Sequence, residues 1–490
     1  MKLKALLEAI RPAQIEGNLD RDIAGLAYDS RRVTPGMIFV ALPGLKQDGH
    51  EFISAALERG AVAIVCERDL PVPARVAKIR VTDARAAMAL LAARFYGQPS
   101  DHLRIVGVTG TNGKTTVSFL VKHLLGERTG LLGTVRYEVG DRQIPAQRTT
   151  PEALELQQLL SQMVRAGCSG CAMEVSSHAL EQHRVLGIVF DVGVFTNLTQ
   201  DHLDYHGTME SYFAAKQKLF GMLRADGKSG LAVVNVDDAY GARLAKTFPG
   251  DRLLTYGLGA NAMLRATDLK LAHGETRVTV EYEDQRLACR LPFIGRHNVY
   301  NALAALGSGL ALQLDLKRLV AALETAPPVP GRLEPIRLGQ PFEVFVDYAH
   351  TDDALKQVLT TLREITPGRL LLLFGCGGNR DAGKRSKMGE VAAALADFTI
   401  ITTDNPRAES PAAIAAQVEQ GYLAKRADGC RIEIDRARAI DELIRMAQPG
   451  DIVLLAGKGH ETYQEFENTV VPFDDHLCAR DTLEALGYVK

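Results

Sequence analysis

Between Gly110 and Thr116 the chain reads G-T-N-G-K-T-T. These residue types suit the grip on a nucleoside triphosphate. Glycines let backbone N–H groups close on phosphate oxygens, and a helix starting just after them adds its partial positive charge. Lys114 can reach the β- and γ-phosphates, and the Thr115 hydroxyl can ligate Mg²⁺. The common G-x-x-x-x-G-K-[ST] loop needs glycine where Val108 stands, so Gly110, Thr111, Asn112, Gly113, Lys114, Thr115 and Thr116 form a variant loop. Two other clusters could serve the same chemistry. Glu174 ends an apolar strand, where a carboxylate is costly unless paired. Asn197–His206 packs two His and two Asp into ten residues. Mg²⁺ beside a γ-phosphate takes carboxylate or imidazole ligands, which makes Glu174 and His202 candidates. For His202 a turn or capping role fits the local sequence equally well. Lys216 and Lys218 lie on an amphipathic helix, Tyr212–Phe220, and spacing alone reads them as two solvated lysines. Asn301, near the start of a helix, could face an adenine or cap that helix.

The elements that must position these residues alternate between strand and helix signals. Strand signals fall at Ile23–Tyr28, Met37–Leu42, Ala61–Cys66 and Lys78–Thr82. Helix signals fall at Glu51–Arg59 and at Asp83–Tyr96, where Asp83 is the expected N-cap. Leu103–Thr109 is a strand leading into the glycine loop, and Val117–Leu125 is a helix leading out. Further strands fall at Gly130–Val135, Cys171–Val175, Val192–Thr196, Leu231–Val236 and Leu253–Tyr256, with a helix at Glu152–Ala166. Such alternation implies a mostly parallel sheet covered on both faces. Gly97–Ser100 and Pro327–Gly331 read as linkers. Beyond the second, strands at Phe342–Tyr348, Arg369–Phe374, Phe398–Thr402 and Ile452–Ala456 describe a Rossmann-like sheet. Each ends in a polar loop: Asp347–Thr351, Gly375–Arg385, Thr403–Arg407 and Gly457–Glu461. Four such loops on one sheet edge describe a rim facing a ligand or another domain.

Composition narrows the function classes. The 490 residues are 46% hydrophobic and 24% charged, with 57 Lys+Arg against 59 Asp+Glu. That near-balance gives no general attraction to nucleic acid or anionic membrane. Apolar runs fall far short of the ~18 residues of a membrane span. The N-terminal segment has no signal-peptide pattern. Seven scattered cysteines, with one C-x-x-C at Cys168–Cys171, read as buried thiols in a reducing cytoplasm.

Taken in order, GTNGKTT, EVSSHAL, NLTQDHLDYHG, AAKQKLF, GRHNVYN, GRLE, DYAHT, GCGGNRDAGKR, DNPR and GKGHE closely resemble the motif set of the Mur ligases of bacterial cell-wall synthesis. The ordered set runs from about Asp29 to Glu461 and is far more specific than any one motif. The likeness is greatest to members that add 2,6-diaminopimelate. It implies an α/β fold of three domains: a small UDP-binding domain at 1–100, a central P-loop ATPase at 101–328, and a Rossmann-like amino-acid-binding domain at 331–490. It implies a cytoplasmic, monomeric, ATP-dependent amide-bond ligase, with Mg²⁺ as cofactor and no nucleic-acid partner. That enzyme would join meso-diaminopimelate to UDP-N-acetylmuramoyl-L-alanyl-D-glutamate through an acyl phosphate. Ser30, Leu45, Lys46 and Gln47 would hold the UDP part. Thr149, Thr150, Ser176, Gln182 and Arg184 would grip the muramoyl-dipeptide. Lys114, Glu174, His202 and Lys216 would be catalytic. Lys216, carbamylated into a carboxylate-like group, would join Thr115, Glu174 and His202 as metal ligands, against its solvated reading from spacing. Asn301, Arg332 and His350 fall in the nucleotide-contacting motifs. Arg380, Asp404, Asn405, Pro406, Arg407, Gly457 and Glu461 match the diaminopimelate pocket. Two positions depart from the family pattern: Asp352, where Pro is usual, and Arg148, where Asn is expected.

Overall fold

Short β-branched and aliphatic runs bounded by glycine and polar turns make the strands of this protein, and amphipathic segments between them make the helices. The computed structural model describes residues 1–44, 47–225, 230–272 and 274–489. The expected site residues Leu45 and Lys46 lie outside them. The chain forms two compact units, one of residues 1–256 with 304–316 and the other of 257–303 with 317–490.

The first unit begins with a five-stranded sheet in the order Gln14–Glu16, Ala77–Arg80, Ala63–Cys66, Met37–Val40, Gly25–Ala27. All its pairings are parallel except that of the first strand. Helix Ala84–Phe95 packs on this sheet, and Asp83 caps it as expected by accepting from the Ala86 N–H at 2.8 Å. In the stretch expected as a linker, Gly97–Ser100, Gly97 and Gln98 are exposed but the second half is packed. Gln98 adopts a φ of +50°, and Pro99 and Ser100 are buried in a turn of 3₁₀ helix. Ala153 and Leu154, at the start of the central helix Ala153–Arg165, join the same apolar cluster as helix Ala84–Phe95.

The unit continues as a parallel sheet in the order Leu253–Gly257, Leu231–Asn235, Val192–Phe195, Arg104–Thr109, Gly170–Glu174, Thr129–Leu132. Two antiparallel strands, Arg136–Val139 and Arg142–Pro145, extend one end. Arg104–Thr109 is first in sequence but lies between the third and fourth of these parallel strands. This reversal of strand order opens a crevice at the carboxyl ends, where open α/β sheets bind ligands. Glu174 and Thr196 therefore flank the glycine loop, with Glu174 in register with Val108 and Phe195 with Thr109.

In the second unit a three-stranded antiparallel meander, Leu264–Ala272, Glu275–Tyr282 and Gln285–Leu291, precedes a six-stranded sheet. The order of the latter is Glu334–Ile336, Glu343–Asp347, Ile452–Ala456, Leu370–Phe374, Phe398–Ile401, Cys430–Ile432, parallel after the first pair. Alternation explains its unbroken apolar strands. Leu370, Leu372 and Phe374 face one helical layer, while Leu371 and Leu373 face the other. Ile452–Ala456, last in sequence, is inserted between the first two parallel strands. The four polar loops expected from sequence thus do share one edge. The Asp352 departure costs nothing visible: Thr351 caps helix Asp352–Arg363, and two aspartates occupy its positively polarised first turn.

Beneath that edge lies a fully buried ion pair. Arg436 Nε and Nη2 donate to Asp475 at 2.7 and 2.6 Å, and Nη2 also donates to the Ala456 carbonyl at 3.0 Å. Breaking such a pair strands a charge. Arg436→Ala is expected to destabilise the second unit by about 3–5 kcal/mol in urea unfolding, with Arg436→Met/Asp475→Leu recovering most of that loss. A wild-type midpoint for Arg436→Ala would contradict this.

Candidate active site

Strand Arg104–Thr109 delivers the glycine loop and helix Lys114–Leu125 carries it away, three residues earlier than the sequence pattern placed the helix. Gly110 has a φ of +151°, and a Cβ there would stand 1.8 Å from Thr196 Oγ1, so only glycine fits. The neighbouring strand end pins the loop. Thr196 Oγ1 donates to the Asn112 carbonyl at 2.6 Å, and Asn197 Oδ1 accepts from the Asn112 N–H at 2.9 Å. Lys114 Nζ donates to the carbonyls of Gly110 and Thr111 at 3.0 and 2.8 Å, holding its charge within the loop. Thr116 is buried in the first helical turn.

Glu174 is paired, as its position at a strand exit demands. It is 1% exposed. Its carboxylate accepts from Thr115 Oγ1 at 3.1 Å, from the Thr134 N–H at 2.7 Å and from Thr134 Oγ1 at 3.1 Å. Thr134 escaped the sequence reading. The signal was the preceding Gly133, where a Cβ would meet Glu174 Oε1 at 2.4 Å. Thr115 and Glu174 are hard oxygen donors suited to Mg²⁺, which is bound through one or two carboxylates together with substrate phosphates. Among the described residues, no three His, Cys, Asp or Glu side chains converge into a ready-made metal cage.

Lys216 corrects the reading from spacing. It is 1% exposed, whereas Lys218 is solvated and pairs with Glu181 at 2.7 Å. The helix, Met209–Gln217, begins and ends three residues earlier than expected and gives way to a 3₁₀ turn. Lys216 Nζ donates to the Gly110 carbonyl at 2.8 Å, the same oxygen that Lys114 uses, and lies 4.5 Å from the Tyr212 ring centre. Burial, then the neighbouring Lys114 charge, hold the Lys216 amine well below the usual lysine range. Tyr212, one helical turn earlier, was legible as an i, i+4 partner. His202 opens a short helix at a φ of +54°. Its side chain is 45% exposed and lies 3.4 Å from Asp201; partial desolvation, opposed by Asp201 and aided by His178, Lys114 and Lys216, lowers its pKa to about 4. At neutral pH it therefore offers a lone pair. His178 packs edge-on against it at 4.9 Å.

The residues expected to grip the dipeptide form one network. Thr150 Oγ1 donates to the Glu174 carbonyl at 2.9 Å and accepts from the Ser176 N–H at 3.1 Å. Arg184 donates to the Thr150 carbonyl at 3.1 Å and to Gln182 Oε1 at 2.6 Å. Thr149 and Thr134 hydroxyls are 3.1 Å apart. Glu152 joins the network through Arg184 at 3.1 Å and Arg148 at 2.5 Å. Arg148 also shares backbone hydrogen bonds with the Tyr137 hydroxyl. Next to this network, Tyr28, Leu42, Arg85, Met88, Glu152 and Gln182 line a small cleft. Ser30 is buried in a turn capped by Asp29, and Gln47 is exposed.

In the second unit, Asn301 Nδ2 donates to Asn298 Oδ1 at 3.0 Å on helix Arg296–Ala311. Arg332 lies over the Tyr348 ring at 4.8 Å, and His350 Nδ1 is 2.9 Å from the Tyr348 carbonyl. Asp404, Asn405 and Pro406 are buried at the rim. Asn405 Nδ2 donates to Glu461 Oε2 at 2.8 Å. Arg407, at a φ of +51°, donates through Nε to Glu465 at 2.8 Å and through Nη1 to the Gly378 carbonyl at 2.9 Å. Gly457 has a φ of +106°. Arg380 is exposed. All seven cysteines are free thiols, and burial pushes Cys376 up to about 12.

Family models describe the same segments. The Mur ligase family catalytic domain matches residues 22–96, the Mur ligase middle domain 108–309, and the Mur ligase glutamate ligase domain 331–459. The chain belongs to the Mur ligase family, a family of ATP-dependent ligases. It is 43% identical over 495 residues to the UDP-N-acetylmuramoyl-L-alanyl-D-glutamate–2,6-diaminopimelate ligase of Syntrophomonas wolfei subsp. wolfei, with 100% of each chain covered. A solved structure of a ligase of that name matches at a TM-score of 0.72 and 35% identity, over 100% of both chains. The MurF ligase of Thermotoga maritima in complex with ADP shares the fold at a TM-score of 0.61 and 22% identity, over 88% of this chain and 93% of that one.

Proposed function

We infer that this protein joins meso-diaminopimelate to UDP-N-acetylmuramoyl-L-alanyl-D-glutamate at the expense of ATP, in peptidoglycan precursor synthesis. One observation carries the reading. Glu174 binds the phosphate loop through its carboxylate, at Thr115, and the Thr149–Arg184 network through its backbone carbonyl, at Thr150. A γ-phosphate on the loop and a carboxyl group held by the network would thus be neighbours, as transfer between them requires.

In the reaction, a γ-carboxylate oxygen of the D-glutamyl residue attacks the γ-phosphorus of ATP. ADP leaves and an acyl phosphate forms. The neutral amine of diaminopimelate then attacks the acyl carbon, and the tetrahedral intermediate expels inorganic phosphate. The protein supplies position and charge rather than covalent chemistry. Lys114 neutralises developing phosphate charge, while Thr150, Ser176, Gln182 and Arg184 hold the dipeptide. Mg²⁺, held by Thr115, Glu174, His202 and carbamylated Lys216, would supply further charge neutralisation. CO₂ addition needs a neutral amine, and the lowered pKa of buried Lys216 favours that form. The neutral His202 imidazole suits the same ligand set. Asn301, Arg332 and His350 serve the nucleotide, and Ser30 and Gln47 serve the UDP part.

Arg407 sets acceptor choice. Its guanidinium fork suits the second carboxylate of diaminopimelate, which lysine lacks. Arg380, Asp404, Asn405, Pro406, Gly457 and Glu461 complete the acceptor pocket. Residues 1–100, 101–328 and 331–490 divide the labour between UDP, ATP and amino acid. Among the described residues, no helix is long and apolar enough to cross a membrane. We propose a cytoplasmic monomer.

Arg407→Ala is expected to lower kcat/KM for diaminopimelate by about 10²- to 10³-fold while leaving KM for ATP within about twofold. Unchanged diaminopimelate kinetics would sink this pocket assignment. Lys216→Ala should abolish turnover, with partial rescue by a short carboxylic acid. Normal turnover in that variant would remove the carbamate from the mechanism.

A further inference from the structure

One buried cation in the second unit has no part in the reaction above. Lys458 stands between two glycines with positive φ, Gly457 at +106° and Gly459 at +53°. These turns drive its side chain inward until it is 0% exposed. Its ammonium meets Asn405 Oδ1 at 3.2 Å, Glu461 Oε2 at 3.4 Å and Asp404 Oδ1 at 3.5 Å. The Tyr463 ring centre lies 5.6 Å away. Three rim residues from two loops therefore converge on one ammonium from below.

The geometry does two things. Two donors, Lys458 Nζ and the Glu465 N–H at 3.0 Å, converge on one end of the Asn405 amide. That end is therefore the oxygen, and the NH₂ end faces Glu461. Lys458 also sits between two carboxylates that would otherwise repel. Without a cation, one of a close carboxylate pair is driven to protonate. Burial, with Asp404 beside it, raises the Glu461 carboxyl above its ordinary range, and Lys458 and Asn405 oppose that rise without cancelling it. The adjacent charges balance separately, Arg436 with Asp475 and Arg407 with Glu465. Asp404 and Glu461 against Lys458 leave one surplus negative charge. Of these three side chains, Asp404 and Glu461 reach the surface, at 10% and 17% exposed, and Lys458 does not. An apolar side chain at 458 would leave these polar groups without their shared cation, so the test must separate lost stability from lost recognition.

We propose that Lys458 is a positioning residue for acceptor recognition: it fixes the Asn405 amide and holds Asp404 and Glu461 side by side over one ammonium, so that the rim presents its carboxylates to the ammonium of an amino-acid acceptor. The inference rests on the reading of this rim as the diaminopimelate pocket.

The test uses the full chain carrying Lys458→Met, Lys458→Gln or Asn405→Asp. The last keeps Lys458 and the side-chain shape but removes the NH₂ that faces Glu461. Initial rates of phosphate release are measured with each substrate varied in turn, beside thermal unfolding. KM for meso-diaminopimelate is expected to rise by about 30- to 100-fold in Lys458→Met and Asn405→Asp. Rises for ATP and the UDP-dipeptide should stay within about twofold. Combining Lys458→Met with Glu461→Gln should cost less than the product of the single losses, because the neutral amide no longer needs the cation. An unchanged diaminopimelate KM in any folded variant overturns the proposal. So does a parallel rise in all three KM values, which marks a structural role. If the Lys458 variants do not fold, Asn405→Asp alone decides by the same criterion. Wild-type enzyme that releases phosphate without need of diaminopimelate overturns the reading of the pocket itself, and the proposal with it.

Discussion

A carboxylate buried at the end of a strand must be paid for by hydrogen bonds, and Glu174 shows how much structure that requirement organises. Three donors from two elements satisfy it, one on the phosphate loop and two at Thr134. Each is in place only because Gly170–Glu174 is inserted beside Arg104–Thr109 in the parallel sheet. Gly133 must lack a side chain for the approach to be possible. The reversal of strand order, the glycine before Thr134 and the Thr115 hydroxyl are thus parts of one solution to an electrostatic problem. The same solution leaves the Glu174 carbonyl to anchor Thr150.

The two units manage buried charge differently. Around the phosphate loop Lys114 supplies the positive charge that a triphosphate requires, and the buried Lys216 amine shares the same Gly110 carbonyl. At the rim of the second unit, Lys458 lies beneath Asp404 and Glu461, so the field facing outward is negative. Arg407 stands on the same rim, so under the proposed function a zwitterionic acceptor would meet both signs of charge there. Both arrangements are built from polar residues at the carboxyl ends of parallel strands, where backbone geometry leaves loops free to vary.

Much of this was legible in the sequence. The loop from Gly110 to Thr116 declared itself because glycine, lysine and threonine each have a separate task there. The strands of the second unit were legible because runs such as Leu370–Phe374 can be buried on both faces, and the Asp83 cap because its side chain acts within one turn. Long-range packing was not legible. Lys216 looked solvated because its burial depends on Gly110, 106 residues away in sequence. Thr134, Glu152 and Lys458 were missed for the same reason, since each acquires its role only when distant loops meet. Gly97–Ser100 carries linker composition, yet Pro99 and Ser100 are buried by packing that no local signal announces.

The central claim is that nucleotide cleavage here serves amide-bond formation. The most direct measurement is phosphate release from ATP and Mg²⁺ with UDP-N-acetylmuramoyl-L-alanyl-D-glutamate, comparing meso-diaminopimelate, L-lysine and no acceptor. The account predicts release that requires the dipeptide and strongly prefers diaminopimelate over lysine. Release indifferent to dipeptide and acceptor would contradict it and mark a nucleotide-driven switch instead.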